Sequence, residues 1–153
     1  MFRILFALIL LVTSLKTLAN TNVNEDVLFQ KIGMLDSDFR YMDMNLVNRV
    51  FKNANDRTEK QMPYKSNDLI ELTSITLTPY LTIINFTNTF DLSEVNQNKF
   101  SEYFKTQESI KDWCSEHFKF KYMRVNNLKV EVNYKNRYGK ILESIVLNRE
   151  TCS

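Results

Sequence analysis

The chain has 153 residues, with 20 Lys and Arg against 18 Asp and Glu, one His, two Cys and two Gly. Two glycines cannot build a glycine-rich phosphate loop and one His cannot build a multi-His metal centre, so both classes of site are excluded. The small excess of cations belongs to residues 1–19, which carry Arg3 and Lys16 and no acid. The rest has 20 − 2 = 18 cations against 18 anions, which gives no electrostatic case for nucleic acid or an acidic membrane as a partner.

Met1-Phe2-Arg3 precedes an apolar and small-residue run from Ile4 to Leu15, and Thr17-Leu18-Ala19 follows. This is the three-part pattern of a secretory signal, and it predicts cleavage after Ala19. The competing reading is a membrane anchor, but Lys16 ends the run short of the roughly 20 apolar residues a span needs. No Cys follows to carry a lipid, and no later segment resembles a span. The mature chain is therefore expected to have no membrane span and to be periplasmic or secreted. Its length suits one domain and one core.

Residues 20–42 read as a loosely ordered lead-in or a short helix, with Glu25-Asp26 as a solvated acidic pair. From Asp43 to Gln61, the residues Met44, Val47, Val50, Phe51, Ala54 and Thr58 recur at spacings of three and four, one face of a helix that ends before Pro63. Asp68 to Leu77 changes to a period of two, and Leu69, Glu71, Thr73, Ile75 and Leu77 share one face of a predicted strand. Thr78-Pro79 breaks it, and Tyr80 to Phe90 resumes as a second strand, so an antiparallel hairpin is the natural pairing. Asn85-Phe86-Thr87 matches a glycosylation acceptor but lies in mid-strand and is discounted.

Ser93 is placed to cap a helix carrying Phe100, Tyr103 and Phe104. A break near Thr106 precedes a second helix with Ile110, Trp113, Cys114 and Phe118 at helical spacing. Phe118, Phe120 and Tyr122 then suggest a strand-like or irregular exit, and these aromatics are assigned to core packing ahead of a ligand groove. Leu128 to Tyr134 and Ile141 to Leu147 alternate as two strands around a turn at Asn136-Arg137-Tyr138-Gly139. The predicted organisation is a signal over 1–19, a lead-in over 20–42 and one α+β domain over 43–153. The domain is expected to be a two-layer sandwich ordered helix, hairpin, helices, hairpin, with a four-stranded antiparallel sheet.

In an exported chain, two cysteines predict one disulfide, Cys114–Cys152. The alternative pairs Cys114 with His117, three residues on and on the same side of a helix, as a nucleophilic dyad or half a metal site. It lacks a second Cys-His pair, and His117 reads better as a surface or half-buried helical residue. No catalytic, cofactor-binding or metal-binding residue is assigned, and no cofactor is expected.

The helix with Val47-Asn48, the hairpin at Thr78-Pro79, Trp113-Cys114, Asn133-Tyr134, Tyr138-Gly139 and the terminal Cys152 together resemble a family of small exported bacterial proteins known as quorum-sensing-regulated virulence factors. The resemblance covers about residues 43–153, and Thr78-Pro79 departs from it where a Gly-containing turn is more typical. It implies an α+β fold, export and a link to virulence or envelope biology, and it carries over no catalytic residues. The expected function is a non-catalytic binding module with a protein partner in the envelope or outside the cell. The alternative is a hydrolase of envelope polymers, which requires two carboxylates held across a cleft.

Overall fold

The computed structural model describes residues 24–65, 68–90 and 94–153. The expected signal over 1–19 and the cap at Ser93 lie outside the described residues. In chain order the elements are α1 (Glu25–Lys31), α2 (Met44–Glu59), β1 (Tyr64–Lys65), β2 (Ile70–Leu77), β3 (Leu81–Asn88), α3 (Glu94–Phe104), α4 (Gln107–His117), α5 (Lys121–Val125), β4 (Lys129–Lys135) and β5 (Ile141–Leu147). Together they make an α+β fold.

The sheet has five strands in the order β1-β2-β3-β4-β5, and the central pair β3–β4 is parallel. Four antiparallel strands were expected. The two tight turns do give antiparallel hairpins, β2–β3 and β4–β5. The link from β3 to β4 instead carries α3, α4 and α5, and a crossover of that length returns the chain to the same end of the sheet, where it pairs in parallel. The fifth strand is the two-residue β1 on the edge of β2, too short for a period to show.

A bulge changes the phase of β2: Leu72 pairs with Phe86 and Ser74 with Asn85, leaving Thr73 over. Leu72 therefore faces the helices, and so do Ile75 and Leu77, while Ser74 and Thr76 face away. The single unbroken alternation read from the sequence does not hold across Thr73.

The helices cover the face carrying Leu72, Ile84, Phe86, Val130, Val132 and Leu147, all buried. Phe86, Phe100, Phe104, Trp113 and Tyr134 pack there as an aromatic cluster, with Phe104 and Tyr134 ring centroids 4.3 Å apart. On the opposite face, Ser74, Asn85, Asn133 and Ser144 form one row across four strands. Asp43 starts α2 by accepting from the Asn45 and Leu46 amides, and Thr106 restarts the chain as α4 by accepting from the Ser109 amide. The exit after α4 is a short helix, α5, where a strand-like or irregular segment was expected, because five residues are too few to show a helical period.

Residues 24–42 contribute to the core. Asn24 caps α1, Phe29, Met34 and Leu35 are buried, and Gly33 takes the positive φ that turns the chain after α1. Asn126 holds the following loop by donating to the Phe39 carbonyl at 2.7 Å and accepting from the Tyr41 amide at 3.0 Å. Asn127, next in the chain, takes a positive φ of 53°, a conformation Asn tolerates better than most residues.

Candidate functional site

Helix α2 is clipped to the end of β2 by one side chain. Asn55 Nδ2 donates to the Leu77 carbonyl at 2.7 Å, and Asn55 Oδ1 accepts from the Leu77 amide at 2.7 Å. Below this clip the helix does not close onto the sheet. A cavity of about 80 Å³ lies between them, walled by α2 (Val50, Phe51, Ala54), β2 (Leu72, Ile75, Leu77), β3 (Ile84) and β4 (Val130), with α1, α4 and α5 along its side.

Four ionisable groups belong to the lining: Glu25, Arg57, His117 and Tyr122. Glu25 opens α1 and is 5% exposed, and the neighbouring Asp26 is 6% exposed. The solvated acidic pair expected here is therefore corrected to two buried carboxyls. Two contacts explain why they are tolerated. Asp26 caps α5, its oxygens accepting from the Lys121 amide at 2.9 Å and the Tyr122 amide at 3.0 Å. Glu25 Oε2 accepts from the Tyr122 hydroxyl at 3.1 Å.

Burial pushes the Glu25 carboxyl up to about 7, against the smaller lowering effects of the Tyr122 hydrogen bond and the Lys119 charge. Burial, reinforced by the Glu25 charge, raises the Tyr122 phenol well above its ordinary range, so its hydroxyl stays protonated and acts as donor. Glu25 Oε1 has no hydrogen-bond donor among the described residues. The sequence did carry a signal for this carboxyl: Glu25 lies four residues before Phe29, on the inward side of the same short helix.

His117 is buried at 7% exposure, not half-buried or at the surface, and its ring stacks on Trp113 at 4.9 Å. Burial, with the Lys119 charge adding to it, lowers its imidazole to about 4, so it is neutral at pH 7. Cys114 of α4 is bonded to Cys152, which follows β5, with Cα atoms 5.5 Å apart. The Cys114 sulfur is thereby in a disulfide, and a thiolate dyad with His117 does not arise. Among the described residues no group of three or more His, Cys, Asp or Glu is placed to hold a metal ion. None of the described helices is long and apolar enough to cross a membrane.

The site is thus a largely apolar cavity in an α+β sandwich, with Glu25, Arg57, Thr58, Thr82, His117 and Tyr122 as the polar residues of its lining. No family model matches the chain, and no curated protein sequence matches it. Among solved structures, a Pseudomonas aeruginosa protein named only as a candidate secreted protein superposes with a TM-score of 0.53 at 6% identity, over 72% of this chain and 96% of that one. The pilotin EpsS of the Vibrio vulnificus type 2 secretion system aligns at 0.45 and 9% identity, over 72% and 94%. The Vibrio cholerae type II secretion pilotin AspS aligns at 0.46 and 10%, over 71% and 94%. At 6% identity the Pseudomonas match is a likeness of fold alone.

Proposed function

We propose that this chain is an exported bacterial protein, periplasmic or secreted, that acts as a non-catalytic binding module linked to virulence or envelope biology. The cavity carries this reading: α2 and the sheet wall it mostly with apolar side chains, Thr58, Thr82, His117 and Tyr122 add polar groups, and among the described residues Glu25 is the one Asp or Glu in its lining. Export is supported by the apolar leader of the sequence and by the Cys114–Cys152 disulfide, a bond favoured outside the cytosol. A protein partner would meet the far face of the sheet. That face carries the row Ser74, Asn85, Asn133 and Ser144.

The test is a titration with xenon followed through the methyl resonances of Val50, Leu72, Ile84 and Val130. Those methyls shift in the wild type. Ala54→Leu, which places three more carbons in the cavity, suppresses the shifts and stabilises the fold by about 1–2 kcal/mol. Unmoved methyls at saturating xenon refute the reading.

One observation favours the hydrolase alternative: a carboxyl held near 7 is in the range of a general acid. Among the described residues no second carboxyl lines the cavity, and Asp26 beside it is occupied by the α5 amides. Release of reducing ends from envelope glycan by the wild type, lost in Glu25→Gln, establishes that alternative.

A further inference from the structure

We propose that β5 is a strand-pairing site for a second copy of this chain: two β5 strands lie antiparallel about a two-fold axis at Ser144, and the two sheets join into one. The proposal does not draw on the cavity. β5 ends the sheet, with β4 on one side. Its outward backbone groups are identified by what meets them. The Ser144 amide donates to Glu143 Oε1 at 3.1 Å, the Val146 carbonyl accepts from Thr151 Oγ1 at 3.2 Å, and the Asn148 amide donates to Thr151 Oγ1 at 2.8 Å. These residues lie two apart, so their backbone groups point to one side of the strand, away from β4. The Ser144 carbonyl and the Val146 amide point the same way. The opposite edge of the sheet is taken: β1 lies on β2 at Glu71 and Leu72, and Asn55 holds both backbone groups of Leu77.

The chemistry of the strand selects its partner. β5 reads Ile141-Leu142-Glu143-Ser144-Ile145-Val146-Leu147, with apolar residues on both sides of its central serine. An inverted copy therefore sets apolar against apolar. On the far face it brings Val146, 41% exposed, to the bulge of the partner strand, where Ile141 is 52% exposed. Edges that resist pairing commonly carry Lys or Pro, and β5 has neither. Glu143 is its one charge, and Lys105 meets that charge at 2.8 Å. With the axis at Ser144, Glu143 lies across from the partner's Ile145, whereas an axis at Glu143 would set two carboxylates face to face. Ser144 is small and exposed, so two of them fit side by side at the axis. The two serines then exchange both backbone bonds, amide to carbonyl in each direction.

Glu143 sets how tightly the copies hold. Its Oε1 already sits on the Ser144 amide, where the second copy's carbonyl would lie. Pairing exchanges this bond for an intermolecular one, while Oε2 keeps Ser101 and Lys105. An exchange of one hydrogen bond for another gains little, so the association is weak and depends on concentration.

The experiment measures the mass of the full chain by sedimentation velocity from about 5 to about 500 μM, with amide hydrogen exchange read at both ends of that range. The wild type moves from one chain toward two, and exchange of the Ser144 and Val146 amides slows as concentration rises. Ser144→Lys and Ser144→Glu each remain single throughout, because like charges meet at the axis, and their equimolar mixture regains the pair. Glu143→Ala, which frees the Ser144 amide, associates about fivefold more tightly. A wild type that stays a single chain at the highest concentration overturns the proposal. Association that survives in both Ser144 variants lies on another surface and overturns it as well. So does a mixture of the two that stays single, since only a two-fold at Ser144 sets the opposite charges together. Should the variants fail to fold, the wild-type amides decide alone, and exchange that does not slow with concentration overturns the pairing.

Discussion

Replacing Glu25 by Gln keeps the acceptor for the Tyr122 hydroxyl and removes a charge that the cavity wall solvates poorly. The folded carboxyl titrates at about 7 against an ordinary value of 4.5, with burial as the main cause. Between those two values the unfolded chain has lost the proton and the folded chain still holds it, so stability falls as pH rises across the window. At 1.36 kcal/mol for each tenfold change in proton affinity, the interval amounts to about 3 kcal/mol once pH exceeds about 7. Glu25→Gln escapes this loss. Its advantage over the wild type should be near zero at pH 4 and grow to about 3 kcal/mol at pH 8. Urea unfolding followed by the fluorescence of Trp113, the single tryptophan, measures it. With a urea slope of roughly 1.5 kcal/mol/M, the midpoint of the variant at pH 8 lies about 2 M above the wild type. An advantage that is the same at pH 4 and pH 8, or that shrinks as pH rises, refutes the reasoning.

His117 gives the opposite slope. Its folded value of about 4 lies below the ordinary 6.5, so stability is lost as pH falls from 6.5 through 4, and its ring protons should show no titration above pH 5 in NMR spectra. Removing the disulfide by Cys114→Ser with Cys152→Ser frees a loop with a sequence separation of 38 and should cost about 4 kcal/mol by the chain-entropy relation, read as a lower thermal midpoint. Thiol titration of protein recovered from the envelope or medium should find no free sulfhydryl, and two per chain would contradict export. Asn55→Ala removes both bonds to Leu77 and should cost about 2 kcal/mol, with the amide of Leu77 losing its protection from hydrogen exchange.

Much of the sandwich was legible because burial imprints a period on long elements. The stripe from Val47 to Thr58 marked α2, the alternation from Leu128 to Tyr134 marked β4, and Gly139 marked the turn that its φ of 83° now occupies. The parallel pairing of β3 and β4 was not legible, since a strand's own residues do not say which neighbour lies beside it or in which direction. The cavity was not legible either. Ala54, Leu72 and Ile84 look alike whether α2 seats against them or stands off. Glu25 was misplaced because acids in a first turn are also what a helix N-terminus favours for its dipole, and that reading was preferred to its place four residues before Phe29.

The spare residue at Thr73 has a consequence for how this chain tolerates changes of length. Deleting it leaves Leu72, Ser74, Ile75, Thr76 and Leu77 in strict in-and-out order against β3, so a shorter β2 keeps the same roof over the void. One residue added anywhere between Ser74 and Leu77 exchanges roof for rain: Ile75 or Leu77 is turned to water and a hydroxyl takes its place against α2. Sequences of this kind that differ by a single gap at the bulge should therefore share a floor plan, and those that differ by a gap three residues later should not.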